Sequence, residues 1–243
     1  MLFDTPQVLE HPRYISHRGF TPLAPENSIP SFEYAGLLRQ WAIETDVRFT
    51  RDGTAVCCHD AETAHFDLSL PIAQTDWAEL EKLRISEGNR LACFRDAQRR
   101  LPLFSEYLAV CRRFGAVPFI EMKTPDAGRV VKEVRGAGFD DGEVVMSSSR
   151  LDWLLDARRE APRMFLHWIF ADEDGLSPLA SAGNAGISWN IPDVFSAPQE
   201  KIDLAHAMGL KVCLRAGDTF DAVRTMLEMG LDYLPTNCMH GKI

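Results

Sequence analysis

The sequence has 243 residues, of which 46% are hydrophobic and 25% charged, an ordinary composition for a globular protein with a substantial core. Its 26 Lys and Arg against 35 Asp and Glu give a formal charge of −9, which argues against the basic face that nucleic-acid binding requires. The chain shows no transmembrane stretch, no basic-then-apolar leader and no CxxC pair among its six cysteines. We therefore expect a cytoplasmic protein with no nucleic-acid partner and no integral membrane segment.

Short apolar runs alternate along the chain with longer amphipathic ones. The apolar runs predict strands at residues 13–17, 41–49, 116–122, 142–147, 163–170, 185–191, 210–216 and 231–237. The amphipathic runs predict helices at residues 27–39, 103–114, 127–137, 150–161, 198–208 and 219–229. About eight strand–helix units in a chain of this length predict an α/β protein with a (β/α)₈ TIM barrel. A doubly wound open sheet is the alternative, because periodicity does not distinguish a closed sheet from an open one.

Residues 60–100 interrupt this alternation with an unusually long link after strand two. The link contains scattered apolar residues and one short helical stretch, TDWAELEKL. Because links of this length in compact domains are commonly functional, we predict a small inserted, cap-like segment beside the pocket. The alternative is a solvated excursion packed against the side of the barrel. Residues 1–243 are then predicted to form a single barrel domain that includes this insertion.

Acidic residues occupy alternate positions in the second predicted strand. Glu44 and Asp46 lie two residues apart in AIETDVRF and therefore point to one face. Glu121 lies at the end of the next predicted strand, two residues before Lys123. Burying several carboxylates together is unfavourable without a counter-charge, and a hard divalent cation bound through oxygen supplies one. The pattern therefore predicts a metal site, although a salt bridge to Arg48 would also account for the two acids of strand two.

Histidines and cations follow the same strands. His17 and Arg18 come where the first predicted strand ends, and His59 follows the second. In a barrel, the C-terminal ends of consecutive strands lie side by side and build the active site. Carboxylates, two histidines and the cations Arg18 and Lys123 are the set needed for metal-assisted cleavage of a phosphoester, unless the cations serve only to pair the acids. We interpret His167 as a buried, hydrogen-bonded residue.

The combination of these segments is more specific than any single residue. SHRG, PENS, ETDVRFTRDG, HD and EMK occur in this order across the first half of the chain, which resembles the glycerophosphodiester phosphodiesterase family. The resemblance implies a TIM barrel with an insertion after strand two, and one divalent cation, Mg²⁺ or Ca²⁺. It also implies a role for each residue: metal ligands Glu44, Asp46 and Glu121, catalytic histidines His17 and His59, and phosphate-binding cations Arg18 and Lys123.

The reaction that the resemblance implies is hydrolysis of a small-molecule glycerophosphodiester to glycerol 3-phosphate and an alcohol. One histidine would take a proton from the nucleophile, and the other would protonate the leaving alkoxide. The family resemblance indicates that a glycerol hydroxyl attacks its own phosphorus to form a cyclic phosphate, which water then opens. An internal nucleophile of this kind gains up to roughly 7–11 kcal/mol. The sequence leaves open which histidine is the acid and which is the base.

Two segments near the C-terminus depart from the family pattern. Leu214 and Arg215 occupy the position of the family's Trp-Thr pair, and Asn237 stands where the family has an aspartate. The first change removes an aromatic wall and adds a cation, which favours a more acidic or sugar-bearing head group. We therefore regard Arg215, together with Trp189 from predicted strand six, as candidate pocket residues.

Three alternative functions stay open. The same machinery would serve a hydrolase of lysophospholipids or of sugar phosphodiesters. A metal-dependent sugar isomerase is a different class of enzyme on such barrels, and it predicts a histidine in the metal shell. An inactive barrel that only binds its ligand is the third alternative; the complete set of acids and histidines argues against it, whereas the altered C-terminal segments favour it. The sequence makes no prediction of oligomeric state.

Overall fold

The computed structural model describes residues 2–4 and 11–241. Its strands are β1 (Tyr14–Ser16), β2 (Ala42–Phe49), β3 (Ala55–Cys57), β4 (Val117–Met122), β5 (Val145–Ser148), β6 (Phe165–Ala171), β7 (Ala185–Trp189), β8 (Lys211–Cys213) and β9 (Leu234–Thr236). Its α-helices are α1 (Ile29–Leu37), α2 (Trp77–Leu80), α3 (Phe104–Phe114), α4 (Ala127–Gly136), α5 (Leu151–Glu160), α6 (Leu176–Ala182), α7 (Gln199–Ala207) and α8 (Phe220–Glu228). Within the described ranges, no helix combines the length and apolar character needed to span a bilayer.

The strands form one nearly closed barrel. Parallel pairing runs in the order β8-β7-β6-β5-β4-β2-β1-β9, and β3 pairs antiparallel with β2. The two ends of this order meet at a junction that we call the seam. There the Asp232 amide donates to the Val212 carbonyl, and the Gly217 amide to the Pro235 carbonyl, both at 2.9 Å. The predicted TIM barrel with an insertion after strand two is thus confirmed, and the open sheet is not formed.

The alternation of β2 decides which side chains reach the barrel interior. Ile43 and Val47 pack outward in the apolar core that the strands share with the helices. Ala42, on the opposite face, packs among the interior residues. Because alternate residues share a face, Glu44 and Asp46 point inward with Ala42. The strand therefore carries its acids into the barrel, as its sequence predicts.

Apolar side chains fill the deeper part of the barrel interior. The cluster consists of Ile15, Ala42, Phe119, Val145, Phe165, Cys213 and Tyr233. His167 lies against it, with Nδ1 at 2.6 Å from the Tyr233 hydroxyl oxygen. Burial lowers the pKa of His167 to about 3, so this imidazole is neutral at physiological pH. The interpretation of His167 as a buried, hydrogen-bonded residue is confirmed.

Gly186 of β7 faces the same interior layer and leaves no space for a side chain. A Cβ at this position would lie 2.4 Å from the Tyr233 hydroxyl oxygen and 2.8 Å from the Lys211 carbonyl oxygen. We expect Gly186→Ala to lower the free energy of unfolding by about 1–3 kcal/mol, because the barrel must shift to accept the methyl group. Urea denaturation measures this change. Gly142→Ala is the control, because a Cβ there meets nothing within 4 Å; equal stability of the two variants would contradict the prediction.

The inserted segment, residues 60–100, packs in a small apolar cluster that it shares with the chain on either side of it. That cluster contains Val56, Cys58, Ile72, Leu80, Leu83 and Leu101. The tip of the segment touches the loop between β1 and α1, where Asn89 Nδ2 donates to the Thr21 carbonyl at 3.0 Å. Beside it, Gly88 lies against Pro25 so closely that a Cβ would come within 2.8 Å of the proline ring. The segment therefore reaches the barrel mouth through its tip.

Two elements were not predicted from the sequence. β3 has only three residues, and its one local signal is the Asp52–Gly53 turn that closes a hairpin with β2. α6 has seven residues, LSPLASA, which include a proline and show no clear amphipathic period. Both are short elements that tertiary packing stabilises.

Candidate active site

Three carboxylates meet near the mouth of the barrel. Glu44 and Asp46 come from β2 and Glu121 from β4, and one oxygen atom of each lies within 4.8 Å of the others. Parallel pairing sets Asp46 directly beside Glu121. Asp46 is fully buried, and Glu44 is only 5% exposed. The acidic strand pattern thus produces one compact group, which we call the carboxylate cluster.

Burial and mutual repulsion disfavour the charge of this cluster. Desolvation, followed by the charges of Asp46 and Glu121, raises the pKa of Glu44 well above its ordinary value. Desolvation and Asp46 likewise raise the pKa of Glu121. Burial opposes the charge of Lys123, but the two neighbouring carboxylates outweigh it and raise the pKa of the ammonium. Lys123 Nζ lies 3.1 Å from Asp46 Oδ1 and also contacts Glu121, so one ammonium balances only part of the negative charge.

The carboxylate cluster fits a hard divalent cation. Asp46 Oδ1 is buried and accepts no hydrogen bond from the described residues, which leaves the ion pair with Lys123 as its compensation. Carboxylate oxygens are the donors that Mg²⁺ and Ca²⁺ prefer. Glu44, Asp46 and Glu121 are therefore suited to hold the predicted metal.

The loop after β1 holds a cation and an amide against the cluster. Arg18 has a left-handed backbone with φ 56°, and its amide donates to Glu44 Oε2 at 2.6 Å. Its Nη1 atom lies 3.0 Å from both carboxylate oxygens of Glu26. Asn27 Nδ2 donates to Asp46 Oδ2 at 2.8 Å. A left-handed backbone in a non-glycine residue costs of order 1–3 kcal/mol, and here the bond to the buried acid of β2 offsets it.

The two predicted catalytic histidines have different partners. His17 Nδ1 lies 3.0 Å from the side-chain oxygen of Asn237, which follows β9. Desolvation lowers the pKa of His17, although the bond to this amide acts in the opposite direction. His59 Nδ1 lies 2.8 Å from Asp60 Oδ1, and this bond lowers the pKa of Asp60. Arg48 Nη2 donates to the His59 carbonyl at 2.6 Å and so fixes the loop that carries this histidine.

Two cavities meet at the histidines. The barrel-mouth cavity, of about 430 Å³, is lined by residues that include Glu44, Glu121, Lys123, Trp189 and Arg215. The insertion cavity, of about 470 Å³, is lined by residues of the inserted segment and of the loop after β1, including Glu26, Asp60, His65, Phe66 and Glu87. Four residues line both cavities: His17, Arg18, His59 and Asn237.

The structure brings the predicted site residues together. Eight of the nine line the barrel-mouth cavity: His17, Arg18, Glu44, His59, Glu121, Lys123, Trp189 and Arg215. The ninth, Asp46, is fully buried beside them. Their individual roles stay predictions. In the PENS segment the sequence predicts that either Asn27 or Ser28 caps the first helix, and the structure gives the cap to Ser28, whose side chain accepts from the Ser31 amide. Sequence reasoning missed the contact of Asn27 with Asp46. It also missed Asp218, which has no local signal.

The fold and the site define a class of protein. It is the class of TIM barrels that carry a carboxylate cluster, two histidines and basic residues at the C-terminal mouth, on the first strands of the barrel. Comparison with protein families then gives the particular one. The profile of the Glycerophosphoryl diester phosphodiesterase family matches residues 17–239, and the chain belongs to this family. The resemblance inferred from the sequence segments is confirmed.

Individual relatives agree with this membership. Probable glycerophosphodiester phosphodiesterase 2 of Mycobacterium tuberculosis is 39% identical over 90 residues, which are 36% of this chain and 34% of that protein. The matched region thus spans about a third of that relative's length. Glycerophosphodiester phosphodiesterase of Caldanaerobacter subterraneus is 24% identical over 92% of this chain and 93% of its own. An Oleispira antarctica phosphodiesterase, solved in complex with the product sn-glycerol-3-phosphate, shares the fold with a TM-score of 0.81, at 22% identity over 93% of each chain.

Proposed function

We propose that this protein hydrolyses a glycerophosphodiester to sn-glycerol 3-phosphate and an alcohol, with a divalent cation and with His17 and His59 as the acid–base pair. The observation that carries the proposal is the position of both histidines and Arg18 at the junction of two cavities, beside the carboxylate cluster. Family membership supports it, as do the names of the relatives. The product bound in the Oleispira antarctica structure, sn-glycerol-3-phosphate, is the phosphomonoester that the proposed reaction would release.

Positive charge at the site suits an anionic diester. Glu44, Asp46 and Glu121 would hold Mg²⁺ or Ca²⁺, and the bound cation would stabilise the negative charge that develops on the phosphoryl group. Arg18 and Lys123 add two fixed cations, each held in place by a carboxylate. Such preset charges need no rearrangement when the transition state forms.

The histidines supply the two proton transfers. The attacking hydroxyl must lose a proton as it approaches phosphorus, and the leaving alkoxide must gain one. Because His17 and His59 both line the two cavities, a phosphate at their junction has one imidazole for each transfer. A glycerol hydroxyl of the same substrate would make the attack intramolecular, which removes the entropic cost of bringing a separate nucleophile. This attack would release the alcohol and leave a cyclic glycerol phosphate, and water would then open the cyclic ester to give glycerol 3-phosphate.

The two cavities suit the two arms of a diester. The barrel-mouth cavity contains the carboxylate cluster and would take the glycerol arm, whose hydroxyls have oxygen atoms suited to a cation. The insertion cavity would take the alcohol. Its lining includes Glu26, Asp60, His65 and Glu87, which suit a polar head group. Family membership and the sn-glycerol-3-phosphate bound in the Oleispira antarctica structure favour glycerophosphodiesters over lysophospholipids as substrates.

The composition of the cluster bears on the sugar isomerase alternative. That alternative predicts a histidine among the metal ligands. The group of side chains suited to a metal in the described part of the chain consists of Glu44, Asp46 and Glu121. A shell of carboxylates agrees better with the phosphodiesterase.

A turnover screen on metal-stripped protein tests the proposal. Glycerophosphocholine, glycerophosphoethanolamine and a lysophospholipid would be incubated with the protein before and after Mg²⁺, Ca²⁺ or Mn²⁺ is restored. We expect release of the head-group alcohol only with a cation, and faster from the two glycerophosphodiesters than from the lysophospholipid. The other product would be glycerol 3-phosphate from the glycerophosphodiesters and lysophosphatidic acid from the lysophospholipid. Equal turnover without any cation, or no turnover under any of these conditions, would contradict the proposal.

A further inference from the structure

Asp218 organises the segment that follows β9. It lies in the loop between β8 and α8, beside the seam, and accepts three hydrogen bonds from this segment. Its Oδ1 atom accepts from the Thr236 hydroxyl at 3.0 Å and from the Asn237 amide at 2.7 Å. Its Oδ2 atom accepts from Asn237 Nδ2 at 2.6 Å. The backbone and the side chain of Asn237 are thus held by one carboxylate.

This contact determines which way the Asn237 amide faces. A carboxylate only accepts hydrogen bonds, so the atom of Asn237 next to Asp218 must be Nδ2, and Oδ1 must face His17. Oδ1 in turn only accepts, so His17 Nδ1 carries a hydrogen. The neutral imidazole then has its lone pair on Nε2. The histidine backbone is held by the same strand, because its amide donates to the Thr236 carbonyl at 3.0 Å.

We infer that Asp218 and Asn237 are positioning residues that hold His17 ready to act as the general base, which leaves His59 as the general acid. The inference rests on the proposed function. It adds which histidine is the base and which is the acid, and it names two residues that position the base. A tautomer with its lone pair on Nε2 can accept the proton of a hydroxyl in the cavity. The ring of His17 is oriented by a neutral amide rather than by a carboxylate.

His59 has the opposite kind of partner. Its Nδ1 atom faces the carboxylate of Asp60 at 2.8 Å. A carboxylate only accepts hydrogen bonds, so the ring of His59 has a charged partner where the ring of His17 has a neutral one. Burial lowers the pKa of His17, which favours the neutral imidazole that a base requires, and the part of the acid in the proposed pair then belongs to His59.

Two variants of the full-length protein, loaded with Mg²⁺, test the inference with glycerophosphocholine. In Asp218→Asn, one acceptor oxygen becomes an amide nitrogen, which is a donor. This donor then faces another donor, either Asn237 Nδ2 or the Thr236 hydroxyl and Asn237 amide. We therefore expect kcat/KM to fall about 10–100-fold. The double variant Asp218→Asn with Asn237→Asp exchanges acid and amide and allows every bond to re-form, so we expect most of the activity to return at high pH. Asp221→Asn is the control, because it removes the same charge from an exposed position of α8.

The double variant also predicts a shift in the pH profile. It puts a carboxylate in contact with His17, which raises the pKa of the imidazole by at least about one unit. A base must be neutral, so the acid limb of kcat/KM moves to higher pH by that amount. The charged groups that act on His17 besides the exchanged pair, Arg18, Asp46 and Glu26, are the same in every variant. An unmoved acid limb, or a shift of the alkaline limb instead, would overturn the assignment.

A ¹⁵N NMR spectrum of histidine-labelled protein gives a readout that does not depend on turnover. We expect the His17 resonances, identified by their loss in His17→Asn, to show a protonated Nδ1 in the wild type and a mixture of tautomers in Asp218→Asn. A protonated Nε2 in the wild type would overturn the inference. If the wild type cleaves no diester, the proposed function fails, and the spectrum still decides whether Asp218 and Asn237 set the tautomer.

Discussion

Replacing His59 by alanine is expected to lower kcat for glycerophosphocholine by at least about a hundredfold, with the fold intact. His59 lines both cavities and is held at the junction by Asp60 and by the Arg48 contact to its carbonyl. No other imidazole is described at that junction except His17, which we propose transfers the other proton. Steady-state kinetics measure the loss, and circular dichroism checks the fold.

The choice of leaving group makes this prediction specific. The p-nitrophenyl diester of glycerol phosphate releases a phenolate that departs without a proton, so we expect His59→Ala to lose less than about tenfold on it. His17→Ala should lose activity equally on both substrates, because the attack needs its base in either case. His11→Ala, at an exposed position, is the control for replacing a histidine. An equal loss for His59→Ala on both diesters would remove it from the role of acid.

Glu44→Gln is expected to weaken metal binding and to stabilise the metal-free protein at the same time. Because we propose Glu44 as a direct ligand, its loss should cost more metal affinity than the roughly 10–100-fold that the loss of an outer partner costs. In the metal-free protein, the amide removes a buried charge that Asp46 and Glu121 repel, yet its oxygen can still accept the Arg18 amide. Thermal denaturation in a chelator, and again with Mg²⁺, measures both effects.

Glu44 also makes the stability of the metal-free protein depend on pH, in a direction that its raised pKa predicts. Burial and its neighbours raise the pKa of Glu44 in the folded state, so folding favours its protonated form. Its contribution to the stability of the metal-free protein is therefore present at low pH and lost as the pH rises through the raised pKa. Glu44→Gln should lack this part of the dependence. Glu79→Gln, at an exposed position of α2, should keep it; identical pH curves for wild type and Glu44→Gln would contradict the argument.

Much of the fold and of the carboxylate cluster follows from local patterns. The two-residue period of β2 predicts that Glu44 and Asp46 share a face, and parallel pairing then brings Glu121 alongside. Strands and helices with a strong hydrophobic period are predicted well, because the period shows which face of the element is buried. The three-residue β3 and the proline-containing α6 are not, since neither is long enough to show a period.

The residues that hold the site side chains in place are not predicted by local sequence patterns. Asp218 lies in a loop nineteen residues before Asn237, and nothing in its neighbours along the chain marks it as part of a site. Its contacts exist only because barrel closure places the loop after β8 beside the end of β9. Asn27 is similar, since its amide bonds to Asp46 only once the loop after β1 is folded over β2. Residues that act through another residue carry little signal of their own.

The seam has a consequence for how the protein would lose its activity. The strands at the seam, β8 and β9, share no registered ladder in the described part of the chain; two backbone hydrogen bonds join this region, and the loop that forms one of them also carries Asp218. Openings of small free energy occur where few bonds must break. A brief separation of β8 from β9 would release the amide that holds His17, while the remaining strands stayed paired. On heating, the enzyme would then lose its activity at a lower temperature than the one at which the barrel unfolds.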